Sequence, residues 1–154
     1  MIVDICSGKG RWETGEEVIS IDVQKRLKPT ICADVRFLPL RPGLKPRLVH
    51  ASPPCKYISK ARRWGMGWNP KGVAESFRLL AACFDAFVYL EAETCTIEQP
   101  AGLEDLMGTK ITFKYDKGDL RNCTTNFYSN NKSLRWAMIP QDVRQSILGA
   151  IDDV

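Results

Sequence analysis

A chain of 154 residues, 44% hydrophobic and 26% charged, has the composition of an ordinary globular protein and room for one hydrophobic core, so a single domain over residues 1–154 is expected. The longest apolar stretch, around Leu79 to Leu90, is interrupted by Asp85 and is too short to span a bilayer, which argues against a membrane partner. A formal net charge of +4 permits nucleic-acid contact without requiring it.

Short apolar runs alternate with turn signals along the chain, the pattern of a mixed α/β domain. MIVDIC reads as a buried strand that ends in the turn SGKG, and it lacks the basic start and cleavage pattern of a signal peptide, so a cytoplasmic location is expected. VISIDV and TICADV read as the second and third strands. Only Arg11 to Glu17 separate the glycine turn from the second strand, too few for a regular crossover helix, which leaves Trp12 to cover a ligand instead of filling a helix face. RLVHAS is a fourth strand, stopped by Pro53 and Pro54. Residues 70 to 93 read as a helix opened by Pro70, with Val73, Phe77, Leu80, Ala81, Phe84 and Val88 as its buried face. CTIEQP is a fifth strand, AGLEDLMG a short helix, ITFKYD and TTNFYSN two more strands, and Pro140 opens a last helix to about Ile151.

Three acids stand at strand ends: Asp4 before Gly8-Lys9-Gly10, Asp22 and Asp34. The glycines allow a sharp turn and close approach to a ligand, and ligands of open parallel sheets bind beyond the carboxyl ends of the strands. A carboxylate after the second strand can accept from both hydroxyls of a ribose, and one after the third from an adenine amino group. At the same edge, Ser52-Pro53-Pro54-Cys55 presents a thiol on a stiff turn, followed by Lys56, Lys60, Arg62 and Arg63, which favour thiolate. Glu98, in Ile97-Glu98-Gln99-Pro100, ends a neighbouring strand and would sit beside Cys55. The six cysteines lack CxxC spacing and His50 is the only histidine, so Cys6, Cys32 and Cys83 read as small buried hydrophobes and no metal is expected.

In order, DICSGKG, SIDV, ADVR, SPPCKYISKAR and EQP resemble the motifs of the DNA cytosine 5-methyltransferases over roughly residues 1 to 108, and YDKGDLRNCTTNFYSN loosely resembles small phage-type relatives. The resemblance implies a Rossmann-like class I fold, a mostly parallel sheet of about seven strands with helices on both faces, and S-adenosylmethionine as cofactor. It implies Cys55 as the nucleophile that attacks carbon 6 of cytosine and Glu98 as the donor to ring nitrogen 3, so that carbon 5 becomes able to take a methyl group. Cofactor contacts carry over to Asp4, Cys6, Ser7, Gly8, Gly10, Trp12, Asp22, Val23, Asp34, Val35 and Pro53. Nucleic-acid contacts carry over to Lys56, Ser59, Lys60, Arg62, Arg63 and, by position, Arg121. The substrate would be single-stranded DNA or a base flipped from a duplex. The sequence departs from the family in having Gln99 in place of the common Asn and no room for a target-recognition region, so specificity would come from a partner or a homodimer. Three other readings stand beside this one. SPPC followed by Tyr57 fits the frame of the amino-methyltransferases, RNA is an alternative substrate, and a non-catalytic cofactor- or nucleic-acid-binding module uses the same residues without turnover.

Overall fold

The computed structural model describes residues 1–10, 12–58, 69–100, 110–116 and 122–129. Five runs of the kind expected form parallel strands: β1 (Ile2–Ile5), β2 (Val18–Asp22), β3 (Ile31–Cys32), β4 (Leu48–Ala51) and β5 (Thr94–Pro100). Their β-branched side chains suit a pleated surface buried on both sides. β1 lies between β2 and β4, β3 flanks β2, and β5 flanks β4, every pairing being parallel. Two further strands, β6 (Lys110–Asp116) and β7 (Asn122–Ser129), continue the sheet beyond β5 with antiparallel pairing, in the order β3-β2-β1-β4-β5-β7-β6. The strand order reverses at β1, which places a ligand-binding crevice at the carboxyl ends of β1, β2 and β4.

β3 is shorter than TICADV suggests. Asp34 turns its side chain back to accept from the Arg36 N–H at 2.9 Å and caps a single 3-10 turn, Val35–Phe37, so the chain leaves the sheet after Cys32. Cys32 is exposed and its Sγ donates to the Val23 carbonyl, against the expectation of a buried residue; Cys6 is half-buried and only Cys83 is fully enclosed. Residues 12–17 form bends and no helix, as the short connection requires. The helices expected at 101–108 and 140–151 lie outside the described residues.

Helix α1 (Pro70–Leu90) has Pro70 in its first turn, and the Asn69 side chain accepts from the Gly72 N–H at 2.9 Å. It ends where Glu91 adopts a left-handed φ of 53°. Its buried face differs from the expected one. Ser76, Leu80, Cys83, Phe87 and Leu90, with Ala82 and Ala86, point inward, whereas Phe77 and Phe84 are exposed and Val88 is 80% exposed. Two apolar stripes compete along this helix, and the one with small residues wins because it lets the helix axis approach the sheet closely.

The pleat sorts the strands into two unlike surfaces. Val3, Ile5, Val49, Ala51 and Ile97 join Leu80, Cys83, Phe87 and Leu90 in one core cluster. Residues alternating with these project the other way, and the register sets Ser20, Asp4, His50 and Thr96 side by side across β2, β1, β4 and β5. Asp4, His50 and Thr96 are all buried. The segment between β1 and β2 is clasped by Glu16, which pairs with the Arg47 guanidinium and with the Met1 ammonium at 2.8 Å. Hydrogen bonds from Arg47 first, then from the amino terminus, hold the Glu16 carboxyl down at about 2.

Candidate functional site

Beyond β1 the backbone turns through Cys6 and Gly8, with left-handed φ values of 54° and 57°. At Gly8 that conformation favours glycine, and a Cβ there would meet nothing within 4 Å, so the turn faces open space. Asp22 fixes the turn. Its carboxylate accepts from the Gly8 N–H at 3.0 Å and from the Gln24 N–H at 2.8 Å, one bond to each oxygen. Each oxygen keeps a second lone pair, which is the requirement for accepting from ribose hydroxyls.

Cys6, Gly8, Asp22, Val23, Asp34 and Val35 line a common cavity of about 200 Å³, closed on the far side by Ser52, Pro54 and Leu79. Six of the expected cofactor residues are thus brought together at the switch point. The volume is below the roughly 300–1,000 Å³ of complete small-molecule sites, so the cavity suits one end of a ligand, with the remainder over the open Gly8 edge. Asp4, Ser7, Gly10, Trp12 and Pro53 do not line it. Ser7 and Pro53 are buried. Asp4 and Trp12 belong to the opposite surface of the sheet, where the Trp12 Nε1–H donates to Asp4 Oδ2 at 2.9 Å and its ring meets the His50 ring edge-on at 5.6 Å. Trp12 therefore covers Asp4 and His50, and with Asp4 and Gly10 it borders a separate cavity of about 220 Å³.

Asp34 is more heavily engaged than a ligand acceptor needs to be. Arg36 forks across both of its oxygens and also reaches Glu75 on α1 at 2.7 Å. The Arg36 side chain, chiefly by hydrogen bonding, holds the Asp34 carboxyl below the usual carboxylate range, and Asp34 in turn raises Arg36. Asp34 still lines the cavity, but its first task is to anchor the 3-10 turn.

The thiol-bearing turn follows β4. The Ser52 N–H donates to the Ile5 carbonyl at 3.0 Å, and after the prolines the Ile58 N–H closes back on the Cys55 carbonyl at 3.1 Å. Cys55 is half-buried at this edge and Lys56 is exposed, its Nζ 5.5 Å from the centre of the Tyr57 ring. The Tyr57 ring lies against the bare backbone of Gly72, where a Cβ would come within 2.5 Å of it. Tyr57 is thus a packing residue that seats the turn on the first turn of α1, and it does not line the ligand cavity. Ser59, Lys60, Arg62, Arg63 and Arg121 lie outside the described residues.

β5 supplies two side chains to this turn from opposite pleats. Ser52 Oγ donates to Glu98 Oε2 at 3.1 Å, because the register that pairs Ala51 with Ile97 makes the next residues neighbours. Gln99 Nε2–H donates to the Pro53 carbonyl at 3.2 Å, and its buried Oε1 has no hydrogen-bond partner among the described residues. Gln99 thus holds the turn. Behind Ser52 the bonding continues to His50 Nε2 at 2.9 Å, and His50 Nδ1 meets Thr96 Oγ1 at 2.9 Å. Sequence reasoning missed Ser52, His50 and Gln99 as site residues. The alternation of His50 with Ser52, and of Thr96 with Glu98, was a readable signal, but it needed the strand register to become a contact.

No family model matches the sequence, and no curated protein matches it. Among solved structures it is similar to a protein from Pyrococcus horikoshii provisionally assigned as an RNA methyltransferase, with a TM-score of 0.53 and 15% identity, over 83% of this chain and 70% of that one. At that identity the likeness concerns the fold, and the fold is Rossmann-like, of the kind that this methyltransferase has.

Proposed function

We propose that this protein is an S-adenosylmethionine-dependent methyltransferase acting on carbon 5 of cytosine in DNA, with Cys55 as nucleophile and Glu98 as acid. The observation that carries the reading is the Ser52–Glu98 hydrogen bond, which joins the Pro-Pro-Cys turn to the acid beside the cavity that holds Asp22. The strand order and the methyltransferase fold of the solved neighbour support the same class.

The cavity fits the adenosine end of this cofactor. Asp22 offers its remaining lone pairs to ribose hydroxyls, Val23 and Val35 offer apolar walls to a purine, and the open Gly8 edge leaves room for the amino-acid end. When bound, S-adenosylmethionine supplies an electrophilic methyl group. The Cys55 thiolate adds to carbon 6 of cytosine while Glu98 donates a proton to ring nitrogen 3, which turns carbon 5 into an enamine carbon that can take a methyl group. Solvent water takes the carbon 5 proton, the thiolate departs, and the proton on ring nitrogen 3 returns to the Glu98 carboxylate, which restores the neutral aromatic ring. The substrate base must leave its stack to reach Cys55. The amino-methyltransferase reading loses support because Tyr57, its aromatic, is engaged with Gly72. RNA cytosine is the second reading, favoured by the assignment of the structural neighbour.

A mechanism trap tests the proposal. The protein is incubated with labelled S-adenosylmethionine and with DNA or RNA oligonucleotides containing 5-fluorocytosine, then run on a denaturing gel. The expected result is a covalent complex with DNA that disappears in Cys55→Ser. A complex with RNA alone would reassign the substrate. Methyl transfer without any complex would refute the thiolate mechanism.

A further inference from the structure

The reaction just proposed leaves one buried group unused. His50 is 2% exposed at the middle of β4, and each of its ring nitrogens meets a hydroxyl: Nδ1 that of Thr96, Nε2 that of Ser52. Ser52 in turn donates to Glu98, so four side chains form one continuous chain from the interior to the sheet edge. Donor and acceptor roles along it are linked. Since Ser52 donates its hydroxyl proton to Glu98, it can only accept from His50, so Nε2 carries a proton and, in the neutral ring, Nδ1 accepts from Thr96.

We propose that His50 and Ser52 are positioning residues for Glu98: the Ser52 hydroxyl fixes the carboxyl group, and His50 orients that hydroxyl from the interior. This inference rests on the acid role assigned to Glu98 above. Asp4, the register partner of His50 on β1, also faces it, and the Trp12 ring meets the His50 ring edge-on. Asp4 is unaltered in every variant below, so its influence cancels.

The single histidine makes the test direct, because every imidazole signal belongs to His50. Nitrogen NMR of the 15N-histidine-labelled protein should show the Nε2–H tautomer in neutral His50. In Glu98→Gln the His50 titration should move by about one pH unit toward lower pH, as expected when an anion at the far end of a hydrogen-bonded chain is removed. Ser52→Ala should uncouple the two residues, so that adding Glu98→Gln to it moves His50 no further. Ser52→Thr, which keeps the hydroxyl, should restore the coupling. A His50 titration indifferent to Glu98→Gln would overturn the proposal, as would unchanged coupling in Ser52→Ala. In single-turnover methylation, His50→Gln should slow the chemical step about 10- to 100-fold and shift its pH profile, with the affinity for S-adenosylmethionine unchanged. A rate loss with an unshifted pH profile would reduce His50 to packing and overturn its positioning role. The NMR readout does not depend on turnover. Coupling without a Cys55 complex would sink the thiolate mechanism and leave the hydrogen-bonded chain intact; a Cys55 complex without coupling would do the reverse.

Discussion

Along β1, β4 and β5, the odd-numbered Val3, Ile5, Val49, Ala51 and Ile97 join the core with α1, while the even-numbered Asp4, His50, Thr96 and Glu98 project the other way. The same three strands therefore carry two programmes at a period of two residues. One is apolar and continuous with Leu80, Phe87 and Leu90; the other is a polar row that ends in a hydrogen bond to a proposed acid. The comparison teaches that the α1 core and this polar row are separated by pleat and not by position along the chain. A slip of one residue would exchange the two sets and lose both, so register is strongly specified here.

Truncating the apolar side should test this separation most severely. Leu90→Ala removes a fully buried side chain and is expected to destabilise the fold by about 3 kcal/mol in denaturant titration, while activity per folded molecule stays unchanged. A change in the intrinsic rate would break the separation.

Gly72→Ala tests a place where α1 touches the turn that carries Cys55. The new methyl group would meet the Tyr57 ring, so the ring must move, at a cost of about 1–2 kcal/mol and with loss of methyl transfer because Cys55 is two residues away. Unaltered activity would show that the seat is dispensable.

The Glu16 clasp should make a smaller, pH-dependent contribution. Its folded carboxyl titrates at about 2 against 4.5 for the unperturbed group, so its stabilisation is complete above about pH 4.5 and is lost as the pH falls toward 2. With the Glu16 side chain 29% exposed, solvent screening reduces the effect to about 1 kcal/mol. Urea midpoints measured from pH 6 to pH 2 should fall less steeply in Glu16→Gln than in the wild type.

The smallest effect belongs to the outer stripe of α1. Val88→Lys should change stability by no more than about 0.5 kcal/mol, since the side chain is 80% exposed. A loss of 2 kcal/mol would mean that this stripe, and not the inner one, is the buried face.

Much of this organisation was legible in the residues. The β-branched runs marked β1, β2, β4 and β5, Pro70 marked the start of α1, and the acids and glycines marked the turns at the carboxyl ends of the strands, because each of these rests on local backbone preference. What escaped depended on contacts distant in sequence. β3 was read too long because Arg36 competes for Asp34. The wrong face of α1 was chosen because large side chains were weighted over Ser76, Ala82, Cys83 and Ala86, whose small size is what permits close packing. Trp12 was placed over the ligand because the short connection left it no helix face to fill, and its bond to Asp4 depends on how that connection folds back over the sheet. The chain from Thr96 to Glu98 needed the pairing of β4 with β5 before alternation could be read as bonding.

The seating of Tyr57 on Gly72 also bears on how a substrate would be approached. Two prolines stiffen the backbone on one side of Cys55, and on the other an aromatic ring rests on bare helix backbone. The sulfur is held between two fixed mounts, with little freedom to swing out toward a base. The nucleic acid would then do the travelling, and the energy for bringing the partners together would be spent on deforming the substrate while the protein stays in place.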